Sequence, residues 1–265
     1  MAQTLVQTDS TPVLEVRSLT QRFGGLTAVN DFNVKLLPGE MTGLIGPNGA
    51  GKTTVFNLVS GFYQPTEGQI LVDGKLTAGF KPHKVTALGV ARTFQNIRLW
   101  NDMTVLDNIR VAQHHWLGYG LFHSVVRSKR YLQREAEIAK EANELLEVFD
   151  LQKFADELPK NLPYGTQRKL EIARALSTHP KLLLLDEPAA GLNSSDVKDL
   201  IRLVRWIHEN FDVSIWMIEH HMDVVMDLCN QIKVIDFGQT IAEGTPDEIR
   251  NHPAVITAYL GDDNI

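Results

Sequence analysis

The sequence predicts an α/β fold with a mainly parallel sheet built around a phosphate-binding loop. Residues 46–54 read GPNGAGKTT, which has the Gly-x4-Gly-Lys-Thr spacing of a P-loop. An apolar run at 41–45 precedes this loop and a helical pattern follows it, as a P-loop requires. Two further apolar runs, at 181–186 and 213–218, are typical of parallel strands that are covered on both faces.

The first 95 residues begin with β structure. Residues 1–12 are expected to be a flexible tail, because they are polar and lack the apolar core of a signal peptide. The runs at 13–16 and 34–37 predict strands, and Pro38-Gly39 predicts the turn before the P-loop strand. The run at 69–74 predicts another strand that ends in a turn.

Residues from about 96 to 178 are predicted to be mainly helical. Apolar side chains recur there at helical spacing, which predicts a helix with one face in the core. The expected core positions are Leu132, Ala136, Ala139, Leu145, Leu146 and Phe149. Residues 114–126 have no clean period and predict a loop or a short broken helix. Residues 195–210 predict another helix, and a capping threonine at 245 with Pro246 and Glu248 predicts a C-terminal helix over 246–260.

Composition narrows the possible classes of function. The net charge of the 265 residues is −6, which argues against a broad nucleic-acid-binding surface. The one cysteine, Cys229, allows no internal disulfide and is expected to be a small buried apolar residue in a reducing compartment. No run of 18 or more apolar residues occurs, so we expect no membrane span in this chain.

The P-loop predicts how a nucleotide is bound. Its glycines let backbone N–H groups turn inward around an anion, and the following helix adds its positive N-terminal end. Lys52 is expected to reach the outer phosphates, and the hydroxyl of Thr53 to hold Mg²⁺. The predicted nucleotide-binding residues of this loop are Gly46, Pro47, Asn48, Gly49, Ala50, Gly51, Lys52, Thr53 and Thr54.

A second element supplies carboxylates. Residues 184–188 read LLDEP and follow an apolar strand. Asp186 at the strand end is expected to orient Mg²⁺ through water. Glu187 is expected to accept a proton from the attacking water as general base.

Between these two elements, residues 162–176 read LPYGTQRKLEIARAL. With these three motifs in this order, the chain resembles the ATP-binding cassette (ABC) ATPases from about residue 13 to residue 260. The resemblance implies that Gln95 contacts Mg²⁺ and the attacking water, that His220 contacts the γ-phosphate and that Phe23 stacks on adenine. It also implies that the signature segment binds the γ-phosphate of an ATP held by the other subunit of a head-to-tail dimer. The residues of that segment are Pro163, Tyr164, Gly165, Thr166 and Gln167.

The resemblance also implies the domain organisation. One ABC ATPase domain is expected over 13–265, with the core and an antiparallel β subdomain at about 13–95 and 179–250 and a helical subdomain at about 96–178. The chain departs from the common family pattern in its signature segment, where the family has Leu-Ser-Gly-Gly-Gln. It also carries Asn193 where the D-loop, residues 190–193, usually ends in aspartate. No role is assigned to His221.

In the signature segment and the D-loop, where it departs from the common pattern, the chain resembles the ATPase subunits of bacterial branched-chain amino acid importers. That resemblance implies a sister ATPase subunit, two transmembrane permease subunits, a periplasmic or extracellular substrate-binding protein and a place at the cytoplasmic face of the membrane. It implies uptake of branched-chain or other hydrophobic or neutral amino acids. Residues 97–100 and 103–105, with Trp100 as anchor, are the predicted docking surface for a permease subunit.

Two alternatives remain open. The same machinery could serve another solute, such as urea, amides or other amino acids, because the binding protein and the membrane subunits select the solute. A soluble ABC ATPase of DNA repair or translation is the other alternative. It is disfavoured by the single cassette, the acidic charge and the lack of a long coiled-coil insertion.

Overall fold

The computed structural model describes residues 11–114 and 128–260 and consists of two sheets flanked by helices. Most of the predicted irregular segment 114–126, and most of the predicted tail 1–12, lie outside the described residues. Strands β1 (Leu14–Phe23), β2 (Leu26–Leu36), β4 (Glu67–Val72) and β5 (Lys75–Leu76) form an antiparallel sheet in the order β2-β1-β4-β5. This sheet is the predicted antiparallel subdomain.

The second sheet is the predicted parallel core. Its strands are β3 (Met41–Ile45), β6 (Val90–Arg92), β7 (Leu182–Asp186), β8 (Ser214–Ile218), β9 (Gln231–Asp236) and β10 (Gln239–Gly244). They lie in the order β10-β9-β3-β8-β7-β6, and only the β9–β10 pair is antiparallel. Every residue of β3, β7 and β8 is buried, as expected for strands covered on both faces. The predicted fold class is confirmed.

The helices cover both faces of this second sheet or form the helical subdomain. They are α1 (Lys52–Val59), α2 (Pro82–Thr86), α3 (Val105–Gln113), α4 (Lys129–Val148), α5 (Tyr164–Leu176), α6 (Ser194–Asn210), α7 (Met222–Leu228), α8 (Pro246–Arg250) and α9 (Pro253–Leu260). Short 3-10 turns lie at Gln152–Phe154 and Pro159–Asn161. Within residues 11–114 and 128–260, no helix has the length and apolar character needed to cross a bilayer.

Trp216 joins the two sheets. It is fully buried in β8, with its ring 6.4 Å from that of Phe32 in β2 and 4.9 Å from that of Phe56 in α1. Aromatic side chains of this size bury the most apolar area per residue, so this contact fixes the antiparallel sheet against the P-loop helix. The position of the loop therefore depends on packing between the two sheets.

The buried face of α4 differs from the prediction. Leu132 is 54% exposed, and Ala136 is exposed as well. Apolar burial begins only at Ile138, because the first turns meet α3 through polar contacts such as the 3.4 Å ion pair between Arg110 and Glu135. The later positions Leu145, Leu146 and Phe149 are buried as predicted.

The predicted C-terminal helix over 246–260 is divided into α8 and α9. Pro253 begins the second helix, and proline cannot continue a helix because it lacks the N–H donor and its ring clashes with the preceding turn. The start of α8 has the predicted capping box, in which the N–H of Thr245 donates to Glu248 Oε2 at 2.7 Å.

Candidate functional site

The P-loop connects β3 to α1 and runs close to neighbouring backbone. Gly51 has φ of 108°, and a Cβ there would lie 2.4 Å from the carbonyl oxygen of Ala28. A Cβ on Gly46 would lie 1.9 Å from the carbonyl oxygen of Ile235. Only glycine fits at these two positions, so the chain can form the tight turn that directs amide groups to one point.

Lys52 is anchored inside this loop. Its Nζ donates to the carbonyl oxygens of Gly46 and Pro47, both at 2.7 Å, and the side chain is buried. The ammonium is therefore fixed beside the amides that are expected to surround the phosphates.

The structure brings most of the predicted site residues to one cleft of about 610 Å³. Five separate stretches of chain bring predicted residues there. The predicted residues that line the cleft are Phe23, Asn48, Gly49, Ala50, Gly51, Lys52, Thr53, Thr54, Gln95, Glu187 and His220. Gly46, Pro47 and Asp186 do not line it. The resemblance to the ABC ATPases implied this convergence, and parallel strands can produce it because the loops that follow them lie at the same edge of a sheet.

Glu187 lies between two other predicted residues. Its Oε2 accepts a hydrogen bond from Gln95 Nε2 at 2.7 Å, and its Oε1 lies 2.8 Å from His220 Nε2. Its φ is 47°, a left-handed conformation that costs free energy for a residue with a side chain. The N–H of Glu187 donates to Ile218 O at 2.9 Å and helps to hold this conformation. These contacts together fix the position of the carboxylate.

Asp186 has a partner that sequence reasoning missed. Its Oδ2 forms a 2.6 Å ion pair with Arg92, and both side chains are almost fully buried. Arg92 also donates to Asn57 Oδ1 at 2.8 Å. Asp186 thus lies beneath the cleft and is oriented by β6. The sequence could have indicated this pair through Arg92, which ends the short buried strand β6. A charged residue is rare at a buried position unless it has a partner.

Glu219 is a second residue that sequence reasoning missed. It is buried, and its carboxylate accepts from the N–H groups of Ala189 at 2.6 Å, His220 at 3.0 Å and His221 at 3.2 Å. Burial raises the pKa of this carboxyl above its usual value, and the three N–H groups and His221 oppose that shift. The contacts tie the chain after Glu187 to the chain that carries His220.

Aromatic side chains stand at the mouth of the cleft. Phe23, the predicted adenine platform, is 42% exposed and meets Tyr63 edge-on at 5.4 Å. Phe237 also lines the cleft, is 87% exposed and has φ of 42°. Its turn is fixed because the N–H of Gly238 donates to Ala50 O at 2.8 Å. No periodicity or motif in the sequence marks Phe237, since the turn between β9 and β10 sets its position.

The signature residues lie apart from the cleft. Pro163 occupies the N-cap position of α5. Together with Gly165 and Thr166, it lines a separate cavity of about 120 Å³ against α6. Their in-trans role stays a prediction. The departure at Asn193 has a structural explanation, because its Oδ1 accepts from the N–H groups of Ser195 and Asp196 at 2.9 Å and so caps α6.

The cleft offers oxygen donors that suit Mg²⁺. Thr53 supplies a hydroxyl, and Gln95 has an amide oxygen that is not used in its bond to Glu187. Within the described ranges, no group of three or more His, Cys, Asp or Glu side chains could hold a metal by itself. These residues therefore fit an ion that takes the rest of its ligands from phosphates and water.

Comparison with known proteins gives consistent matches. A family model described as "ABC transporter" matches residues 29–190, and one described as "Branched-chain amino acid ATP-binding cassette transporter" matches residues 239–264. The chain is 46% identical over 253 residues to the "High-affinity branched-chain amino acid transport ATP-binding protein BraF" of Pseudomonas aeruginosa, covering 96% of this chain and 99% of that protein. It is equally similar, with the same coverage, to the protein LivG of Escherichia coli, which has the same description. Among solved structures, the ADP conformation of MJ1267, an ATP-binding cassette of an ABC transporter, superposes with a TM-score of 0.82 at 29% identity and covers 95% of this chain and 100% of that chain.

Proposed function

This chain belongs to the ABC transporter family of ATP-binding proteins, and from that premise we propose that it hydrolyses ATP to drive uptake of branched-chain or other hydrophobic or neutral amino acids. The observation that carries the proposal is the cleft beside the P-loop, in which Glu187 is held by Gln95 and His220. The names of the BraF and LivG relatives, and the match at residues 239–264, support the class of solute.

The residues of the cleft divide the chemistry among them. Lys52 and the loop amides bind the phosphates, while Phe23 supports the adenine. Thr53 and Gln95 would hold Mg²⁺, and Asp186, which does not line the cleft, would orient the ion through water. When bound, Mg²⁺ would neutralise charge on the phosphates.

Glu187 takes a proton from the attacking water as general base. His220 and Gln95 hold its carboxylate in place. Both line the cleft, and we propose that His220 contacts the γ-phosphate and that Gln95 contacts the attacking water. Preorganised groups of this kind lower the barrier because little reorganisation is needed during the reaction.

The chain is proposed to act through partners. A sister ATPase subunit pairs with it so that each signature segment meets the nucleotide of the other subunit. Two permease subunits span the membrane, a substrate-binding protein delivers the solute, and the ATPases lie at the cytoplasmic face. Trp100, which is 43% exposed and stacks with Arg174 at 5.0 Å, is the proposed anchor for a permease subunit. ATP favours the closed pair only through its higher affinity for that state.

The proposal is tested by isolating this chain together with the membrane subunits that associate with it. ATP hydrolysis is then measured with the binding protein and a panel of solutes that includes leucine, glutamine, urea and acetamide. We expect leucine, isoleucine or valine to stimulate hydrolysis. Stimulation by urea or acetamide alone would reassign the solute, and an absence of any associated membrane subunit would reject a role in transport.

A further inference from the structure

Three charged residues occupy one face of the signature helix α5. Arg168, Glu171 and Arg174 are spaced three apart, so their side chains lie on the same side of the helix. Arg168 is 1% exposed and Glu171 is fully buried, and they form an ion pair at 2.8 Å. No motif in the sequence analysis gave these three residues a role.

The pair binds the main chain of the segment that carries Gln95. Arg168 donates to the carbonyl oxygens of Phe94 at 2.8 Å and Gln95 at 2.9 Å. Glu171 Oε1 accepts from the N–H groups of Phe94 at 3.4 Å and Arg98 at 3.1 Å. Four backbone groups of this segment are thus satisfied by two side chains of one helix.

This segment has little else to hold its main chain. In the part of the chain that the structure describes, residues 94–99 form no backbone–backbone hydrogen bond. Unpaired buried backbone groups are costly, so the conformation of the segment depends on its side-chain partners. Without Arg168 and Glu171, Gln95 would lose the support that directs its amide to Glu187.

The cost of burial indicates a specific role for the pair. A buried ion pair often contributes no more stability than apolar residues of the same volume. Burial raises the pKa of Glu171, while the contacts from Arg98, Arg168 and Arg174 oppose that shift. Apolar side chains could fill this space but could not bind carbonyl and N–H groups of 94–98.

The same pair reaches the N-terminal end of α5. Arg168 donates to the hydroxyl of Tyr164 at 3.2 Å. The ring of Tyr164 lies against the D-loop, where a Cβ on Gly191 would be 3.2 Å from it. One set of contacts therefore connects Gln95 in the nucleotide cleft with the signature segment, which lies outside the cleft.

We propose that Arg168 and Glu171 are positioning residues that hold segment 94–98 and the start of α5 together as one unit. Through this unit, nucleotide binding in the chain's own cleft is communicated to its signature segment, which contacts the second nucleotide of the dimer. This inference rests on the proposed function, since it requires a paired ATPase. It assigns the communication between the two nucleotide sites to a named ion pair.

The test uses the complex with its membrane subunits and the variants Glu171→Gln and Arg168→Met. We expect kcat to fall about tenfold, because displacements near 1 Å cost up to about a hundredfold. The Hill coefficient for ATP should fall toward one, while the Kd for ATP of the isolated chain stays within about twofold because the P-loop is untouched. A loss of folded protein would lower kcat without changing the Hill coefficient. Glu137→Gln, which breaks an exposed 3.0 Å pair with Arg134 on α4, is the matched control and should change nothing.

A charge swap separates the proposed role from that of an ordinary ion pair. In the double variant Arg168→Glu with Glu171→Arg, the pair can re-form but its members no longer match the carbonyl and N–H groups of 94–98. We expect no rescue. Arg168→Lys, which offers fewer donors, should show the same defect to a smaller degree and keeps the test decisive if the other variants do not fold.

Three results would overturn the inference. These are a normal kcat and Hill coefficient in both single variants, rescue by the swap, or a wild-type complex whose two sites hydrolyse ATP without cooperativity. A wild-type complex that hydrolyses no ATP at all would instead reject the proposed function, and the inference with it.

Discussion

Glu187 has a strained backbone conformation, and two side-chain contacts fix its carboxylate. Its left-handed backbone and its contacts with Gln95 and His220 serve no evident packing purpose. Strained residues of this kind cluster at functional sites because the surrounding structure must fix them. This geometry supports the proposed role of Glu187 in the chemical step rather than in binding.

Replacing Glu187 with glutamine should slow ATP hydrolysis by about 10²–10⁴-fold, since an amide cannot accept the proton of water. The Kd for ATP, measured by equilibrium binding, should stay within about twofold because no P-loop residue changes. Glu209→Gln, at an exposed position on α6, is the control. Turnover at the wild-type rate in the Glu187→Gln protein would remove this residue from the role of base.

Phe237 presents a large apolar surface to the cleft from a strained turn. We predict that Phe237→Ala weakens ATP binding by about 0.5–1.5 kcal/mol, or about 2–10-fold, because we expect this ring, which lines the cleft, to pack against the adenosine. Binding of inorganic triphosphate should not change. Calorimetric titration measures both affinities, with Trp206→Ala, an exposed aromatic on α6, as control. Equal losses for the two ligands would show that the ring acts on the P-loop instead.

Among the elements, β6 and β7 are joined by the buried ion pair of Arg92 and Asp186 in addition to their backbone pairing. Arg92→Met leaves the Asp186 carboxylate buried without its partner, so the free energy of unfolding in urea should fall by about 3–5 kcal/mol.

The control for this prediction is Arg205→Met. Its pair with Asp227 is about half exposed, so the loss should be about 0–1 kcal/mol. Similar losses in the Arg92 and Arg205 variants would contradict the structural importance of the buried pair.

The sequence predicts some elements of the structure and their contacts better than others. The P-loop and the strand before Asp186 follow from local spacing, because each motif is continuous in the chain. The partners of Asp186 and the role of Glu219 did not follow, since Arg92 and Ala189 reach them only through the fold. Periodicity predicts helical structure where α4 lies but assigns its first two turns to the core, because periodicity does not show where a neighbouring helix ends.

For the molecule as a whole, Cys229 reports on unfolding. Burial raises the pKa of its thiol from 9.0 to about 12. Since the thiolate is the reactive form, the native protein should not react with a thiol reagent at pH 8, and reaction should follow the urea unfolding transition. The raised pKa also means that the free energy of unfolding falls as the pH rises from 9 toward 12. Rapid labelling of the native chain at pH 8 would show that the core around β3 and α7 opens locally.

The central claim is that ATP hydrolysis in this chain moves a solute through membrane partners. The most direct test places the complex in proteoliposomes with ATP at the side that holds the ATPases and measures leucine uptake and phosphate release together. We predict ATP-dependent uptake that accompanies hydrolysis, with both lost in Lys52→Ala. Uptake that proceeds without nucleotide, or in the Lys52→Ala complex, would contradict the account.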